Sequence, residues 1–278
     1  MANISAVTLN NGIIMPQLGL GVYQVKDGDE VEAAVLAALQ SGYRLIDTAS
    51  LYGNEIGVGR AIKASGIPRQ EIFVTTKLWN DDQGYDAALA AFDVSLKKLD
   101  MDYVDLYLIH WPSPKRGLYV ETWRAFEEIY RQGRAKAIGV SNFHQPHLDT
   151  LLESATITPA VNQIELHPDL PQLELRAYCQ KLGIIVESWS PLGGGGGSLL
   201  DQPVLATIGQ RYGKSPAQVV IRWHIQNGLV VIPKSSHAER IQQNIDVFDF
   251  ELSAADVELI NGLAADNRVG PNPETATF

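Results

Sequence analysis

The sequence predicts an α/β protein, a (β/α)8 barrel of the TIM-barrel type with an N-terminal β-hairpin, in a single domain that spans residues 1–278. Three observations lead to this prediction. Eight short apolar segments rich in Ile, Val and Leu alternate with longer segments of helical periodicity. The polar residues that end four consecutive segments, Asp47, Lys77, His110 and Ser141, are 30, 33 and 31 residues apart, which is typical of a repeated βα unit. No change in composition marks a linker.

The chain begins with a predicted hairpin over Val7–Met15. Asn11-Gly12 supplies the positive φ angles that a tight turn needs, and we expect the hairpin to plug the bottom of the barrel. The predicted barrel strands follow in chain order: Gln17–Val22, Leu45–Asp47, Ile72–Lys77, Val104–His110, Ala137–Ser141, Val161–Glu165, Ile184–Ser188 and Leu229–Pro233.

Helical patterns occupy the segments between these strands. In the first of them, Val31, Val35 and Leu39 recur at the spacing of one helix face. The predicted helices are Glu30–Gln40, Asp86–Leu99, Leu118–Arg131, Leu173–Leu182, Val204–Tyr212 and Ala217–Ile225. An open doubly wound sheet is the alternative, but no strand is followed by a Gly-x-Gly-x-x-Gly segment that opens a helix.

Composition and charge exclude several classes of protein. The chain has 22 Lys and Arg against 32 Asp and Glu, a net charge of −10, so phosphates of nucleic acids and anionic membranes would be repelled. No segment has the roughly 18 apolar residues of a membrane span, and no signal peptide is visible, so we expect a cytoplasmic protein. A single cysteine, Cys179, cannot form an internal disulfide, and His144, His147, His167 and His224 lack metal-ligand spacing, so we predict no metal.

Ionisable residues end three consecutive predicted strands, and in a barrel such strand ends converge on one mouth. These residues are Asp47, Lys77 and His110, and Tyr52 follows Asp47 by five residues. Taken one at a time, they suit a buried Asp–Lys ion pair and a structural histidine. Together they predict catalysis: the lysine ammonium would lower the pKa of the tyrosine from about 10, and the aspartate would keep the lysine charged. A neutral histidine could then hydrogen-bond a carbonyl oxygen, which the tyrosine protonates as a hydride arrives.

Three groups of segments resemble the signatures of the aldo-keto reductases. They are Gly42–Ala49 with Tyr52–Glu55, Ile138–Phe143, and Ile232–Ser235 with Arg240–Asn244. The resemblance extends from about Val7 to Leu263. Within the family, Asn162–Pro168 and Glu187–Gly193 are most similar to the bacterial and plant-like branch that includes the 2,5-diketo-D-gluconate reductases.

The resemblance implies an NADPH-dependent reductase of aldehydes and ketones. Asp47, Tyr52, Lys77 and His110 match the catalytic tetrad of the family, with Tyr52 as the proton donor. The residues that the resemblance assigns to the cofactor are Gly21, Val22, Tyr23, Asp47, Ser141, Asn142, Gln163, Trp189, Ser190, Leu192, Lys234, Ser235, Arg240, Gln243 and Asn244.

These cofactor residues would have different roles. The nicotinamide carboxamide would hydrogen-bond Ser141, Asn142 and Gln163, and Trp189 would stack on the nicotinamide ring. The adenosine 2′-phosphate would bind Lys234, Ser235 and Arg240, with Gln243 and Asn244 near the adenine. Two cations, a hydroxyl and helix amides suit a phosphate on physical grounds as well.

Two positions depart from the family pattern. Ser236 and His237 stand where related members often carry an apolar residue and a second arginine, and the loss of that charge would weaken the preference for NADPH over NADH. Five consecutive glycines, Gly193–Gly197, follow the seventh predicted strand. They suit either a flexible tether or a mobile loop over the ligand.

The predicted substrate pocket is aromatic, which suits a small carbonyl compound such as an aldehyde, a dicarbonyl or a keto sugar. Its residues are Tyr23, Tyr52, Trp79, His110 and Trp111, together with the C-terminal segment from Arg268 onward. We expect a monomer without nucleic-acid or membrane partners. The alternatives are a cofactor-sensing or regulatory barrel protein and a Schiff-base enzyme that uses Lys77, which would require an uncharged lysine beside Asp47.

Overall fold

The computed structural model describes residues 4–194 and 198–278, so Gly195, Gly196 and Gly197 of the glycine run lie outside the described residues. The chain begins with a hairpin of Ala6–Thr8 (β1) and Ile14–Pro16 (β2), in which Val7 lies opposite Met15. Gly12 in its turn has a φ of 85°, which glycine adopts without strain. The predicted hairpin is confirmed.

Eight parallel strands follow, and each is paired with the next along the chain. They are Leu20–Gly21 (β3), Leu45–Asp47 (β4), Phe73–Leu78 (β5), Val104–Ile109 (β6), Ala135–Ser141 (β7), Val161–Glu165 (β8), Ile185–Trp189 (β9) and Val230–Val231 (β10). Parallel bridges from Leu18 to Val231 and from Gly21 to Lys234 join the first strand to the last. The sheet is therefore closed, and the predicted barrel is confirmed, although its first and last strands are shorter than predicted.

Ten helices accompany the strands in the described part of the chain. They are Asp29–Ser41 (α1), Glu55–Ala64 (α2), Tyr85–Leu99 (α3), Tyr119–Arg131 (α4), Gln145–Leu152 (α5), Leu173–Lys181 (α6), Pro203–Tyr212 (α7), Pro216–Gln226 (α8), Ala238–Ile245 (α9) and Ala254–Asn261 (α10). The six predicted helices are present, with small shifts at their ends.

Four helices, α2, α5, α9 and α10, have no counterpart among the six predicted ranges, although a helix near Arg240 was expected. Three of them have only eight residues, too few to show a helical period clearly. The fourth, α2, contains Gly57 and Gly59, which lower helix propensity. Both glycines are needed by packing, because a Cβ would lie 2.3 Å from Val31 Cγ1 at Gly57 and 2.2 Å from the Leu99 carbonyl oxygen at Gly59.

The barrel interior is apolar at one end and polar at the other. Residues two apart on a strand share a face, so every second residue of each strand points into the barrel. The apolar cluster comprises Leu45, Phe73, Leu106, Leu108, Ala137, Ala160, Val161, Val230 and Ile232, with Leu9 and Met15 from the hairpin. The hairpin therefore plugs this end, as predicted. The inward residues that follow are polar: Asp47, Lys77, His110, Ser141, Gln163 and Glu187.

Candidate active site

A buried lysine organises the polar end of the barrel. The Lys77 ammonium donates to Asp47 Oδ1 at 2.6 Å, to the Thr48 carbonyl at 2.9 Å and to the Tyr52 hydroxyl at 3.3 Å. It also lies 4.9 Å from the centre of the Tyr52 ring. The His110 ring centre is 5.7 Å from that of Tyr52. All four predicted catalytic residues thus lie together, and the three donors of the ammonium are used.

The loop after β4 carries Tyr52 and is held by side chains that the sequence analysis did not assign. Asn54 donates to the Val22 and Val25 carbonyls, both at 2.9 Å, and accepts from Thr48 Oγ1 at 2.7 Å. A single short helical turn ends at Tyr52, and Gly53 follows with a φ of 67°. The loop is therefore fixed to β3 and β4, which places the tyrosine hydroxyl over the lysine.

The pKa of Tyr52 departs from the prediction. Burial raises the pKa of this tyrosine to about 12, although the charge of Lys77 acts in the opposite direction. The prediction of a lowered pKa is wrong in its net direction, because the cost of burying a phenolate exceeds the attraction of one ammonium. Tyr52 therefore keeps its proton at neutral pH, and Lys77 reduces the cost of releasing it.

Lys77 and His110 differ in their charge state: the lysine is charged and the histidine is neutral. Burial alone would lower the pKa of Lys77, but the charge of Asp47 and the hydrogen bond to it act in the opposite direction, and the net pKa is raised. Burial, and then the charge of Lys77, hold the pKa of His110 well below its ordinary value. His110 is therefore neutral at pH 7, and its Nδ1 has no hydrogen-bond partner among the described residues. A neutral imidazole can donate one hydrogen bond to a carbonyl oxygen.

Aromatic rings surround this group of residues. The ring centre of Trp79 lies 5.2 Å from that of His110, and that of Tyr23 lies 5.0 Å from that of Tyr52. The ring of Phe278 stacks on Trp79 at 5.8 Å and meets Trp111 edge-on at 5.0 Å. The five predicted substrate residues lie together, and the C-terminal segment that was predicted to join them contributes the ring of Phe278.

The segment 265–278, here called the C-terminal strap, contacts the barrel at several points, and one of them is a buried carboxylate. Glu165, fully buried at the end of β8, accepts from the backbone N–H of Val269 at 2.6 Å and of Gly270 at 3.0 Å. It also accepts from Arg268 Nη1 at 3.5 Å and contacts His167 Nε2 at 3.1 Å. This strap carries Phe278 to the mouth.

The residues expected around the nicotinamide lie beside the tetrad. Asn142 has a φ of 64°, a region that asparagine tolerates, and its amide donates to the His110 carbonyl at 2.9 Å and accepts from Trp189 Nε1 at 2.8 Å. Ser141 Oγ donates to the Gln163 carbonyl at 2.8 Å. These contacts fix the side chains relative to one another and to His110.

Two of the other predicted cofactor residues, Gly21 and Val22, can offer only their backbone to a ligand. Val22 is buried in the larger hydrophobic core, which strand and helix residues form together, and Leu192 packs against that core. Gly21 leaves no room for a side chain, since a Cβ would lie 3.0 Å from the Ile232 carbonyl oxygen. Ser190 turns the chain after β9 with a φ of 47°, and its carbonyl accepts from Gly193 at 3.0 Å.

A basic corner lies where β10 leads into α9. Lys234 and Arg240 are exposed, and within residues 4–194 and 198–278 neither forms an ion pair. Ser235 is buried, and its hydroxyl accepts from the His237 N–H at 3.1 Å. Two cations and a hydroxyl at the start of a helix fit a phosphate group. Gln243 and Asn244 follow on the same helix.

Neither a metal site nor a membrane-spanning helix is found among the described residues. In the part of the chain that the structure describes, no group of three His, Cys, Asp or Glu side chains could hold a metal ion. No helix among the same residues combines the length and the apolar character that crossing a membrane requires.

Comparisons with known proteins agree over nearly the whole chain. Residues 17–265 match the family model described as the Aldo/keto reductase family. A glyoxal reductase of Bacillus subtilis (strain 168) is 53% identical over 272 residues, 98% of this chain and 97% of that protein. The methylglyoxal reductase DkgA of Yersinia pestis is 51% identical over 268 residues, 96% of each chain. An aldo-keto reductase of Bombyx mori, solved in complex with NADP, has a TM-score of 0.91 at 40% identity and covers 99% of this chain and 97% of its own.

Proposed function

The chain belongs to the aldo/keto reductase family and is an NADP-dependent oxidoreductase, and we propose that it reduces small aldehydes and ketones to alcohols with Tyr52 as the proton donor. The observation that carries the proposal is the hydrogen-bonded chain from buried Asp47 and Lys77 to half-buried Tyr52, beside a neutral His110. A protonated tyrosine, a cation that stabilises its phenolate and a neutral hydrogen-bond donor form a set that suits carbonyl reduction.

Each residue has one task in the proposed mechanism. NADPH, when bound, supplies the hydride that adds to the carbonyl carbon. His110 and the Tyr52 hydroxyl hydrogen-bond the carbonyl oxygen and polarise it. As negative charge develops on that oxygen, Tyr52 transfers its proton to it, and Lys77 stabilises the phenolate that remains. Asp47 keeps Lys77 charged throughout.

We assign the cofactor sites by the same logic. The basic corner of Lys234, Ser235 and Arg240 binds the 2′-phosphate, because it offers cations that no carboxylate neutralises among the described residues. Ser141, Asn142 and Gln163 lie beside the tetrad and would bind the nicotinamide carboxamide, and Trp189 would stack on the nicotinamide ring. The remaining predicted cofactor residues are proposed contacts as well: Gly21, Val22, Tyr23, Asp47, Ser190, Leu192, Gln243 and Asn244.

Small dicarbonyl compounds are the proposed substrate class. The ring of Trp79 lies next to His110, and that of Phe278 contacts both Trp79 and Trp111, so this aromatic lining suits a short, flat molecule. The names of two similar proteins, a glyoxal reductase and a methylglyoxal reductase, support the same class. Reduction of 2,5-diketo-D-gluconate stays a prediction from the sequence.

The decisive experiment follows NADPH consumption with the wild-type protein and Tyr52→Phe on glyoxal, methylglyoxal, 2,5-diketo-D-gluconate and a bulky aryl ketone. We expect turnover of the dicarbonyls and a loss of at least about 100-fold in Tyr52→Phe, the usual size of a general-acid contribution. The phenyl ring preserves the packing, so the Kd for NADPH, measured by quenching of tryptophan fluorescence, should change little.

Two results would contradict this proposal. A Tyr52→Phe variant that keeps a tenth of the wild-type rate would show that another group donates the proton. NADPH binding without turnover of any carbonyl in the panel would instead favour the alternative of a cofactor-sensing barrel protein.

A further inference from the structure

A second carboxyl group lies inside the barrel, and the mechanism above does not use it. Glu187 on β9 is fully buried and points to the same face as Ile185 and Trp189. Its Oε2 accepts from Gln163 Nε2 at 2.8 Å, and its Oε1 has no hydrogen-bond partner among the described residues. No cation contacts it within the same residues. A carboxylate in such a place is costly, so the neutral acid is favoured.

Gln163 connects this acid to the tetrad. The same nitrogen, Gln163 Nε2, donates to Asp47 Oδ2 at 2.8 Å. The Gln163 amide therefore donates one N–H group to each of the two carboxyl groups, and it has no third N–H group to donate. Two acceptors on one side require the nitrogen of Gln163 to face them, which turns its carbonyl oxygen away. A continuous chain of hydrogen bonds thus runs from Glu187 through Gln163, Asp47 and Lys77 to Tyr52.

The charge of this chain depends on Glu187. Asp47 from β4 and Lys77 from β5 are the charged groups that act on it, and Gln163 from β8 is its polar contact. On β10 the residues opposite Glu187 and its neighbour are Val230 and Val231, which carry no charge. With Glu187 neutral, the aspartate and the ammonium balance, whereas its ionisation leaves one net negative charge in the low-dielectric interior.

We propose that Glu187 is a positioning residue for carbonyl reduction: as a neutral acid it holds the Gln163 amide toward Asp47, and when it ionises, its charge makes Tyr52 a weaker proton donor. The second negative charge disfavours a phenolate at Tyr52, so the proton is harder to release. The proposal rests on the assignment of Tyr52 as the proton donor. Burial, and then the charge of Asp47, raise the pKa of Glu187 to about 8, so the change would occur in mildly alkaline solution.

The substitution Glu187→Gln tests this directly, because glutamine is the permanently neutral counterpart and keeps an oxygen that accepts from Gln163. The measurement is kcat at saturating substrate between about pH 6 and pH 10. We expect the wild-type kcat to fall above about pH 8 and the variant to hold its kcat for at least about one further pH unit. The proposal would be overturned if kcat fell over the same alkaline pH range in the two proteins.

A second measurement needs neither cofactor nor substrate. From about pH 4.5 to about pH 8 the unfolded chain ionises Glu187 while the folded chain keeps it protonated, so the stability of the wild-type protein falls as the pH rises through this window. Above about pH 8 both states are ionised and the loss is complete. Glu187→Gln lacks this loss, so its melting temperature relative to wild type should rise across the window and then level off. A constant difference would contradict a buried neutral acid.

Glu55→Gln is the matched control. Glu55 is also buried and accepts from Thr76 Oγ1 at 2.7 Å. Unlike Glu187 it has a cation nearby, with Lys98 Nζ 3.9 Å from its Oε2, and it lies outside the chain that reaches Tyr52. In Glu55→Gln, kcat should fall at the same alkaline pH as in the wild-type protein.

The two proposals fail in different ways. An active Tyr52→Phe variant would remove the proton donor on which both depend. An inactive Tyr52→Phe variant combined with an unchanged pH profile in Glu187→Gln would overturn the role of Glu187 alone.

Discussion

At the scale of single residues, the chemistry depends on which charges are buried and which are left without a partner. Lys77 and Asp47 are both buried and paired at 2.6 Å, so their charges are stable only together. Lys234 and Arg240 are the opposite case, since they are exposed at the start of α9 and can rearrange around a phosphate. One pair holds Tyr52, the proposed proton donor, in place, and the other is exposed to solvent, where a ligand could reach it.

Arg240→Ala should weaken NADPH binding much more than NADH binding. Only NADPH carries the 2′-phosphate, and a charge-assisted hydrogen bond to it contributes about 1.5–3 kcal/mol. We therefore expect the Kd for NADPH to rise by about 10- to 100-fold, with little change for NADH. Fluorescence titration of both cofactors checks this.

His237→Arg is the complementary variant, since it restores a cation where related proteins often carry one. It should increase the preference for NADPH over NADH. If Arg240→Ala weakened the binding of NADPH and of NADH equally, this arginine would have a different role.

At the scale of elements, the C-terminal strap decides how the mouth is closed. Glu165 accepts two backbone N–H groups of the strap, and Asp169 accepts from Ala265 and Asn267 through its backbone carbonyl, both at 3.1 Å. These contacts join segments about 100 residues apart in the sequence. The strap therefore brings Phe278 to Trp79 and Trp111, which belong to loops after β5 and β6.

Glu165→Gln should loosen the strap, because glutamine lacks the charge that attracts Arg268 and the two N–H groups. We expect KM for the best substrate to rise by about tenfold, equivalent to about 1.4 kcal/mol, and proteolysis within residues 265–278 to become faster. Steady-state kinetics and limited proteolysis measure the two effects.

Glu274→Gln is the control within the same strap. Its carboxylate contacts His144 Nδ1 at 2.8 Å and is 55% exposed, so its removal should cost less than about 1 kcal/mol. Equal effects of the two substitutions would show that Glu165 does not hold the strap.

At the scale of the whole molecule, barrel closure requires close contact between neighbouring strands. Gly139 on β7 lies on the inward face, where a Cβ would be 2.6 Å from the Val161 carbonyl oxygen and 2.8 Å from Leu108 Cδ2. The backbone of β8 cannot move away without disturbing its pairing with β7. The glycine is thus required by the packing of the barrel.

Gly139→Ala should destabilise the protein by about 3 kcal/mol or more, at the upper end of the cost of overpacking. Gly262→Ala is the control, because Gly262 is exposed with a φ of −64° and the nearest atom to an added Cβ, the Leu259 carbonyl oxygen, would be 3.3 Å away. Thermal melts and soluble yield of the two variants give the comparison. Similar melting temperatures would show that β7 and β8 can separate at little cost.

The amino-acid sequence by itself determined the barrel, the hairpin plug and the tetrad. These follow from local patterns: the spacing of strand ends near Asp47, Lys77 and His110, and the alternation that sends every second residue inward. The same alternation places Glu187 inside, two residues after Ile185. The bounds of α2 and α9 were not predicted, because α9 has only eight residues and α2 contains two glycines.

Only the tertiary structure decided the charge states and the long-range contacts. The pKa of Tyr52 depends on how completely its hydroxyl is removed from water, and that is set by elements distant in sequence. The attachment of the strap to Glu165 and the bridge from Glu187 through Gln163 to Asp47 likewise join separate strands. A sequence pattern specifies which face of a strand a residue occupies, whereas the free energy of a buried charge depends on everything that surrounds it.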